Sequence, residues 1–408
     1  MRKKFLSLAV ACSMLAAVGS TALTANAVEV EEESVQAAAE EEVIGAVYDE
    51  EPAEAAAEIE NSAADSVYQN TLSYRIESDG TITITKYKGK DKSYTIPSKI
   101  EGKPVRTIGG SAFSVSHTLE SVVIPDGVTI IRANAFDICS NLKSVSIPES
   151  VTEIGQEAFA NCKKLEKINI PSKVTKINSL TFANCYALKN ITIPNGVTVI
   201  SSSAFWNCTS LTNITIPGSV TYISGAFEGC TALKEVNLSE GLETIGNETF
   251  RGCTSLRSIH IPKTVKKIES AAFWGCTNLR GIAFANDKTA ISAESSIFKD
   301  CPKLTIYGNS GSYAEKYEAT KNNIPFKPLS KFESDMNNGK TGDVDDDGTV
   351  TSADALLVLR NSVGLEYFTA REKKLADVDN SGDITSADSL AILRYSVGFK
   401  DKNTAFYK

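Results

Sequence analysis

Two stretches near the carboxyl end carry oxygen-bearing residues at a spacing that suits a metal ion. Each is a twelve-residue loop with candidate ligands at positions 1, 3, 5, 7 and 12 and glycine at position 6. Ca²⁺ prefers six to eight oxygen ligands, and the glycine permits the sharp turn between them. The sequence therefore predicts two Ca²⁺ ions, and the second site is the weaker because a serine replaces a carboxylate there. The predicted ligands are Asp343, Asp345, Asp347, Thr349 and Asp354 in the first loop, and Asp377, Asp379, Ser381, Asp383 and Asp388 in the second.

A segment with the pattern of a helix follows each loop, and the two segments are near copies. Residues 355–364 and 389–398 both contain Leu-Arg and end in Ser-Val-Gly, whereas neither loop is preceded by a conventional entering helix. A calcium loop with an exiting helix, present twice and with Asp at position 12, resembles the type I dockerins of cellulosomes. The resemblance covers nearly all of 342–400 and implies a small all-α module with paired EF-hand-like loops.

The resemblance also implies a partner. Type I dockerins bind the cohesin modules of a scaffoldin through loop positions 10 and 11 and the following helix, in two pseudo-symmetric orientations. Because the two halves are nearly identical, either half could face the cohesin, and alanine at position 11 leaves the choice of cohesin open. The matching residues are Ser352, Ala353, Leu359 and Arg360 in the first half, and Ser386, Ala387, Leu393 and Arg394 in the second.

The middle of the chain repeats itself, which predicts a solenoid. Within each repeat, Val-Thr-x-Ile and Ile-x-Ile-Pro have the period of two of half-buried strands. Between them, Ala-Phe-x-x-Cys-x-x-Leu has a spacing of three, which predicts one helical or 3₁₀ turn. Stacked coils bury apolar edges that one coil cannot bury alone. The phenylalanines recur every 23 residues, with one interval of 22, at Phe113, Phe136, Phe159, Phe182, Phe205, Phe227, Phe250 and Phe273.

This grammar resembles the leucine-rich repeats of bacterial surface antigens, in which an Ala-Phe pair, a cysteine and an Ile-Pro pair mark each unit. The resemblance covers residues 72–328 and implies a mainly β solenoid with capped ends. Residues 74–87 are predicted to form a hairpin that turns at Asp79-Gly80. Residues 308–326 are predicted to form a closing turn and a short helix.

Eight cysteines occupy the same position of successive repeats. A regular ladder of small inward residues favours buried free thiols, whereas a disulfide framework is the alternative in a secreted protein. Metal binding is disfavoured because no local cluster offers four ligands. The eight are Cys139, Cys162, Cys185, Cys208, Cys230, Cys253, Cys276 and Cys301.

No set of residues indicates catalysis. The chain has only two histidines, His117 and His260, and neither recurs beside a base-orienting partner. Acidic residues in the repeats fall at variable positions, as on a solvated surface. One pair of aromatic residues is a weak glycan-binding candidate: Trp206 and Trp274 follow the phenylalanines of coils three steps apart, about 15 Å at about 4.8 Å per coil. Ordinary packing is the other interpretation of these tryptophans.

The amino-terminal residues and the charge distribution indicate where the protein is located and which partners it lacks. Arg2 to Lys4, an apolar run and Ala25-Asn26-Ala27 have the order of a secretory signal peptide. Residues 28–66 hold 14 acidic side chains and no Lys or Arg, which predicts a disordered tail. No later segment has the length of a membrane span, and the sequence offers no dense basic stripe for nucleic acid.

Together these features predict a secreted, extracellular, non-catalytic protein. It would dock through the dockerin onto a cohesin scaffold and present the repeats to a protein or glycan, in the context of polysaccharide degradation. A glycoside-hydrolase-type enzyme and a cell-surface adhesin are the alternatives. The predicted layout is a signal peptide over 1–27, an acidic tail over 28–70, the capped solenoid over 71–328, a linker over 329–341 and the dockerin over 342–408.

Overall fold

The structure is a computed structural model that describes residues 70–292, 296–319, 323–337, 339–345 and 349–399. All of these residues belong to one compact unit, Asp65–Lys408. The predicted signal peptide over 1–27 and all but the last residue of the acidic tail predicted over 28–70 lie outside the described residues, as does Asp347. No helix in the described residues is long and apolar enough to cross a membrane.

The repeats form a β-solenoid of about ten turns, and most coils contribute two short strands as the alternation predicts. In the coil that contains Ile191, the described Ile-x-Ile-Pro stretch forms no strand. Parallel pairing joins equivalent residues of successive coils, for example Ile177 with Ile200. The strands are β1 Leu72–Ile76, β2 Ile82–Tyr87, β3 Ser93–Thr95, β4 Lys99–Ile100, β5 Lys103–Ile108, β6 Ser121–Val123, β7 Ile130–Ile131, β8 Ser144–Ser146, β9 Glu153–Ile154, β10 Lys167–Ile168, β11 Lys176–Ile177, β12 Val199–Ile200, β13 Asn213–Ile216, β14 Tyr222–Ile223, β15 Glu235–Leu238, β16 Thr244–Ile245, β17 Ser258–Ile261, β18 Lys267–Ile268, β19 Gly281–Phe284, β20 Ala290–Ile291, β21 Thr305–Gly308 and β22 Phe326–Pro328.

The strands line two sides of the solenoid. On one side, the Val-Thr-x-Ile strands continue the amino-terminal hairpin in the order β1-β2-β5-β7-β9, with β4 beside β5, and pair further along in the order β11-β12-β14-β16-β18-β20. The Ile-x-Ile-Pro strands pair as β10-β8-β6-β3, β13-β15 and β17-β19-β21-β22. Apart from the antiparallel pairs β1–β2 and β4–β5, each side is thus a ladder of parallel strands. Their inward residues face the core between the two sides, and their outward residues face solvent.

A column of phenylalanines runs through this core. From Phe113 to Phe298, consecutive rings are stacked with centroids 4.9–5.9 Å apart. Offset stacking at this separation is a favourable arrangement of aromatic rings. The 23-residue spacing in the sequence therefore translates directly into one ring per coil.

The segment that holds each Phe and Cys is not the single helical turn predicted from its spacing of three. It is a run of tight turns in which the residue before the cysteine is left-handed, as at Asn161, with φ +58°, and Gly252, with φ +70°. Alternate N–H groups then point to the next coil, as when Phe136 donates to the carbonyl of Ala158 at 2.8 Å. The prediction of a helical turn was wrong because in a helix those N–H groups would donate to carbonyls of their own coil and could not join it to the next one.

The ends of the solenoid are capped largely as predicted. β1 and β2 form an antiparallel hairpin that turns through Gly80, with φ +81°. At the other end, a π-type helix over Ala314–Ala319 precedes β22.

The segment expected to be a linker, 329–341, is partly folded onto the last coils. A 3₁₀ turn over Leu329–Lys331 leads into helix α1, Phe332–Asn337. The Phe332 ring lies 5.3 Å from that of Tyr307, and at Gly281 a Cβ would come within 2.6 Å of Met336. Because this helix covers the outer side of β19, Ala283 is fully buried, and the capped solenoid therefore extends to α1.

The carboxyl-terminal module has three helices around its own core: α2 Ser352–Ser362, α3 Ala370–Ala376 and α4 Ser386–Ser396. Its core includes Val344, Val358, Val378 and Ile392. Helix α3 ends directly before Asp377, so the expectation that neither loop has an entering helix was wrong for the second loop. A capping box between Thr369 and Glu372 starts this helix.

Candidate functional site: two acidic loops and the helices that follow them

The first acidic loop is tied to the helix behind it by one carboxylate. Asp354 lies in the first turn of α2, where its Oδ2 accepts a hydrogen bond from the backbone N–H of Thr351 at 2.8 Å. In return, the Thr351 hydroxyl accepts from the N–H of Ala353 at 3.1 Å and from the backbone N–H of Asp354, and the latter bond completes a capping box. The residue predicted as ligand 12 is therefore also the residue that starts the helix.

The other oxygen of Asp354 closes the loop. Its Oδ1 accepts hydrogen bonds from the backbone N–H groups of Val344 at 2.7 Å and Asp345 at 3.1 Å. These bonds bring positions 1, 3 and 12 together, so that one carboxylate oxygen from each of Asp343, Asp345 and Asp354 lies within 4.8 Å of the others. Asp343 and Asp354 are buried at this point.

The second loop repeats the arrangement. Asp388 Oδ1 accepts from the N–H groups of Val378 at 2.9 Å and Asp379 at 3.3 Å, and its Oδ2 accepts from Thr385 at 2.9 Å. Asp377, Asp379 and Asp388 form the second carboxylate cluster. Two clusters built in the same way, thirty-four residues apart, follow from the duplicated sequence.

The chemistry of both clusters fits a hard cation. Three carboxylates at such short separation repel one another unless a positive charge lies among them. Burial raises the pKa of Asp388, while the hydrogen bond from Ser381 lowers the pKa of Asp379. The donors are all oxygens, the ligand type that Ca²⁺ takes, and the described residues place no thiol or imidazole in either cluster.

The remaining predicted ligands lie around the clusters. Ser381 is exposed, and its N–H donates to Asp377 and Asp379, both at 2.9 Å. The Ser381 hydroxyl donates to the carbonyl of Asp383, the residue predicted as ligand 7 of the second loop, at 3.0 Å. Thr349, its counterpart in the first loop, is exposed. Asp347 lies outside the described residues.

The residues predicted to bind cohesin do not all lie on one face. Ser352, Ala353 and Arg360 are exposed on α2, and Ser386, Ala387 and Arg394 are exposed on α4. Leu359 is buried at 8% exposure, and Leu393 is half-buried.

A different leucine completes each exposed face. Leu356 is 46% exposed and Leu390 is 37% exposed. Sequence reasoning missed both, although steps of three and four residues from Ala353 to Arg360 pass through Leu356 and not through Leu359. Each half therefore presents the same exposed set of serine, alanine, leucine and arginine.

Outside this module, the described residues show no catalytic constellation around either histidine. His117 Nδ1 lies 3.0 Å from the hydroxyl of Ser140, and exposed His260 lies near the ring of Phe332. Trp274, one glycan-binding candidate, donates its indole N–H to Asp300 at 2.8 Å.

Two cations from the coils before and after cover the ring of Trp274. The Arg251 guanidinium lies 4.6 Å and the Lys299 ammonium 4.3 Å from the ring centroid. A sugar that stacked on Trp274 would have to displace one of them. Trp206 is half-buried and has no such cation partner in the described part of the chain.

Comparison with solved structures gives similar repeat proteins. The crystal structure of a T. pallidum leucine-rich repeat protein is 29% identical over 52% of this chain and 89% of that chain, with a TM-score of 0.44. That of a leucine-rich cell surface protein from Faecalibacterium prausnitzii A2-165 is 25% identical over 64% of this chain and 98% of that chain, with a TM-score of 0.33. No curated protein sequence matches this chain.

Two family models match the chain, and together they account for both modules. Six copies of the BspA type leucine-rich repeat region match residues 106–230 and 224–310, which is about half of the chain. The type I dockerin domain matches residues 341–395. Both are non-catalytic modules. The chain thus belongs to the family of BspA type leucine-rich repeat proteins and carries a type I dockerin domain.

Proposed function

We propose that this protein is a non-catalytic component of a cellulosome-type assembly outside the cell. The dockerin attaches it to a cohesin module of a scaffoldin when Ca²⁺ is bound, and the solenoid recognises a protein or glycan in the setting of polysaccharide degradation. The observation that carries the proposal is the duplicated site, in which three carboxylates converge directly before a helix that exposes serine, alanine, leucine and arginine.

The link between metal and partner runs through Asp354 and Asp388. A bound Ca²⁺ supplies the charge that lets three carboxylates stay together. Asp354 caps α2 and closes its loop at the same time, so the order of the loop and the start of the helix depend on the same side chain. Ser352 and Ala353 lie in this first turn, and their positions on the surface therefore depend on the loop.

The outward residues of the Ile-x-Ile-Pro strands are the proposed ligand surface of the solenoid. They form one exposed and mostly polar row, and side chains that donate and accept hydrogen bonds at regular spacing suit an extended polar ligand. The row ends where α1 covers Ala283. Its members are Val123, Ser146, Asn169, Thr192, Thr215, Asn237 and His260.

The docking half of the proposal is tested with the full chain and a panel of immobilised recombinant type I cohesins. Binding to at least one cohesin in Ca²⁺, lost in EGTA and restored by added Ca²⁺, is the expected result. Absence of binding across the panel in Ca²⁺, or binding that EGTA leaves unchanged, would sink the proposal.

The ligand half is tested on an array of plant and bacterial oligosaccharides and by co-purification of proteins. Thr215→Arg places a bulky charge in the proposed row, and Val199→Arg places the same charge on the opposite sheet as the matched control. The first variant should lose the captured ligand and the second should keep it. If Val199→Arg lost the ligand and Thr215→Arg kept it, the ligand would bind the opposite sheet and the proposed row would be wrong.

A further inference from the structure

The solenoid holds the dockerin through basic residues at one repeat position. Lys234 and Arg257 each directly follow the leucine of the Ala-Phe-x-x-Cys-x-x-Leu segment, in successive coils, and both side chains reach the dockerin. Their acceptors are three backbone carbonyls and two glutamates of that module. We call this contact the seat and define it by Lys234, Glu235 and Arg257 of the solenoid and by Val344, Asp345, Glu366, Tyr367 and Glu372 of the dockerin.

Lys234 is the centre of the seat. Its ammonium lies 3.2 Å from Glu366 and 3.5 Å from Glu372, and it donates to the carbonyl of Tyr367 at 2.9 Å. The Lys234 side chain is 18% exposed and that of Glu372 only 3%. Because these charges are largely withdrawn from water, each depends on the others far more than a surface ion pair does.

Arg257 ties the seat to the first calcium loop. Its Nη2 donates to the carbonyl of Asp345 at 2.8 Å, and its Nη1 lies 3.5 Å from the carbonyl of Val344. The Tyr367 hydroxyl donates to Glu235 at 3.3 Å. The solenoid therefore grips the backbone beside ligands 1 and 3 and the segment that leads into α3.

Of the two duplicated halves, only the first contributes residues to the seat, namely Val344 and Asp345, and the other dockerin residues of the seat lie in the segment 366–372 between the halves. Arg360 lies 3.5 Å from Glu366, which in turn pairs with Lys234 of the solenoid. The corresponding residue of the second half, Arg394, makes no ion pair in the described residues, and the residue thirty-four places after Glu366 is Lys400, of opposite charge. The two halves therefore expose the same residue types, but only the arginine of the first half lies beside the seat.

We infer that the solenoid fixes the orientation in which this chain docks: the second half, through Ser386, Ala387, Leu390 and Arg394, faces the cohesin, and the first half is retained by the seat. This inference rests on the proposed docking function. A cohesin on the first half would have to engage Arg360 beside Glu366 and Lys234. In the described residues, Arg360 of the first half pairs with Glu366 of the seat, whereas none of the four side chains on the second half hydrogen bonds or pairs with a residue of the seat.

The duplication supplies a matched pair of variants. In the full chain, Arg394→Glu should weaken binding to the same cohesin panel by about tenfold or more, whereas Arg360→Glu should change it by less than about twofold. If both faces were used freely, each single variant would cost no more than about twofold because the other face would remain. Equal effects of the two variants would overturn the inference.

A second experiment releases the dockerin from the seat. In the Lys234→Ala, Arg257→Ala double variant both faces become accessible, so the added cost of Arg394→Glu should shrink to about twofold. Lys189→Ala, at the same repeat position two coils before Lys234 and exposed, is the control and should leave that cost unchanged. A cost that stays large in the double variant would contradict the role of the seat.

A readout without cohesin separates this inference from the proposed function. Amide hydrogen exchange over residues 366–372 should be faster in the double variant than in the wild type and unchanged in Lys189→Ala. Exchange that is the same in all three proteins would exclude the seat whether or not cohesin binds. Wild-type protein that shows the protection but binds no cohesin would refute the proposed function and, with it, the inferred docking orientation.

Discussion

The thiol of Cys208 donates a hydrogen bond to the backbone carbonyl of Phe182, one coil earlier, at 3.2 Å. Each of the eight ladder cysteines makes the same bond to the carbonyl of the phenylalanine in the coil before its own, at 3.1–3.4 Å. Seven of them are buried, which confirms the predicted inward position of the ladder, and none of the eight forms a disulfide in the described residues. Cysteine thus combines a small apolar volume with a donor for a carbonyl that water cannot reach.

Replacing Cys208 tests this bond. Cys208→Ala leaves the Phe182 carbonyl buried without its donor and opens a small cavity, so the free energy of unfolding in urea should fall by about 1–3 kcal/mol. Cys301→Ala, at the half-exposed last rung, is the matched control and should cost less because water can reach that site. An equal cost at both positions would argue that the bond contributes nothing specific.

The same burial predicts instability in alkali. Burial raises the pKa of Cys230 to about 12, and the other buried thiols for which the pKa is shifted move in the same direction. Above the ordinary thiol pKa of 9.0 the unfolded chain loses protons that the folded chain keeps. Stability should therefore be fully present below about pH 9 and fall as the pH rises towards 12, by up to about 1.4 kcal/mol per pH unit for each thiol.

Urea unfolding of the wild type at pH 7, 8, 9 and 10 measures that dependence. Lysine and tyrosine also titrate in this range, so the comparison is with the Cys230→Ala, Cys253→Ala double variant, which keeps those groups. Its stability should fall less steeply above pH 9. Parallel pH profiles for the two proteins would show that thiol ionisation is not the cause.

The strands and the column of phenylalanines could be predicted from the sequence because a strand period of two and a coil period of 23 are local and repeated eight times. The turns could not be predicted from a spacing of three, since a helix and a run of tight turns share it. A better signal was present: Asn161, Asn184, Asn207, Gly229 and Gly252, all of types that tolerate a left-handed backbone, precede successive cysteines.

The carboxylate clusters could also be predicted, since all six of their members were named from loop spacing alone. The seat could not. Lys234 and Glu372 are far apart in the sequence, and a lysine on a coil edge looks the same whether it meets solvent or a buried glutamate. Likewise, Leu359 and Leu356 are equally apolar, and only the packed helix decides that the first is buried and the second exposed.

The two loops should respond differently to the loss of a ligand. Asp343→Ala removes a buried carboxylate from the first cluster, whereas Ser381→Ala removes only an exposed hydroxyl near the second. The Ca²⁺ concentration needed to order the affected loop, followed by hydrogen exchange, should rise by about tenfold or more for Asp343→Ala, or about 1.4 kcal/mol. For Ser381→Ala it should change little. Equal losses would contradict the unequal roles.

Position 5 of the second loop offers a gain rather than a loss. Ser381→Asp restores a carboxylate at a ligand position, so calorimetric titration of the full chain should show the weaker site tightening by about tenfold. Asn380→Asp adds the same charge one residue earlier, at an exposed position with φ +59° that is not a ligand position. Because both variants change the net charge equally, only ligation distinguishes them. The Asn380→Asp site should stay within about twofold of the wild type, and equal tightening in both variants would mean that general electrostatic attraction, not the fifth position, limits this site.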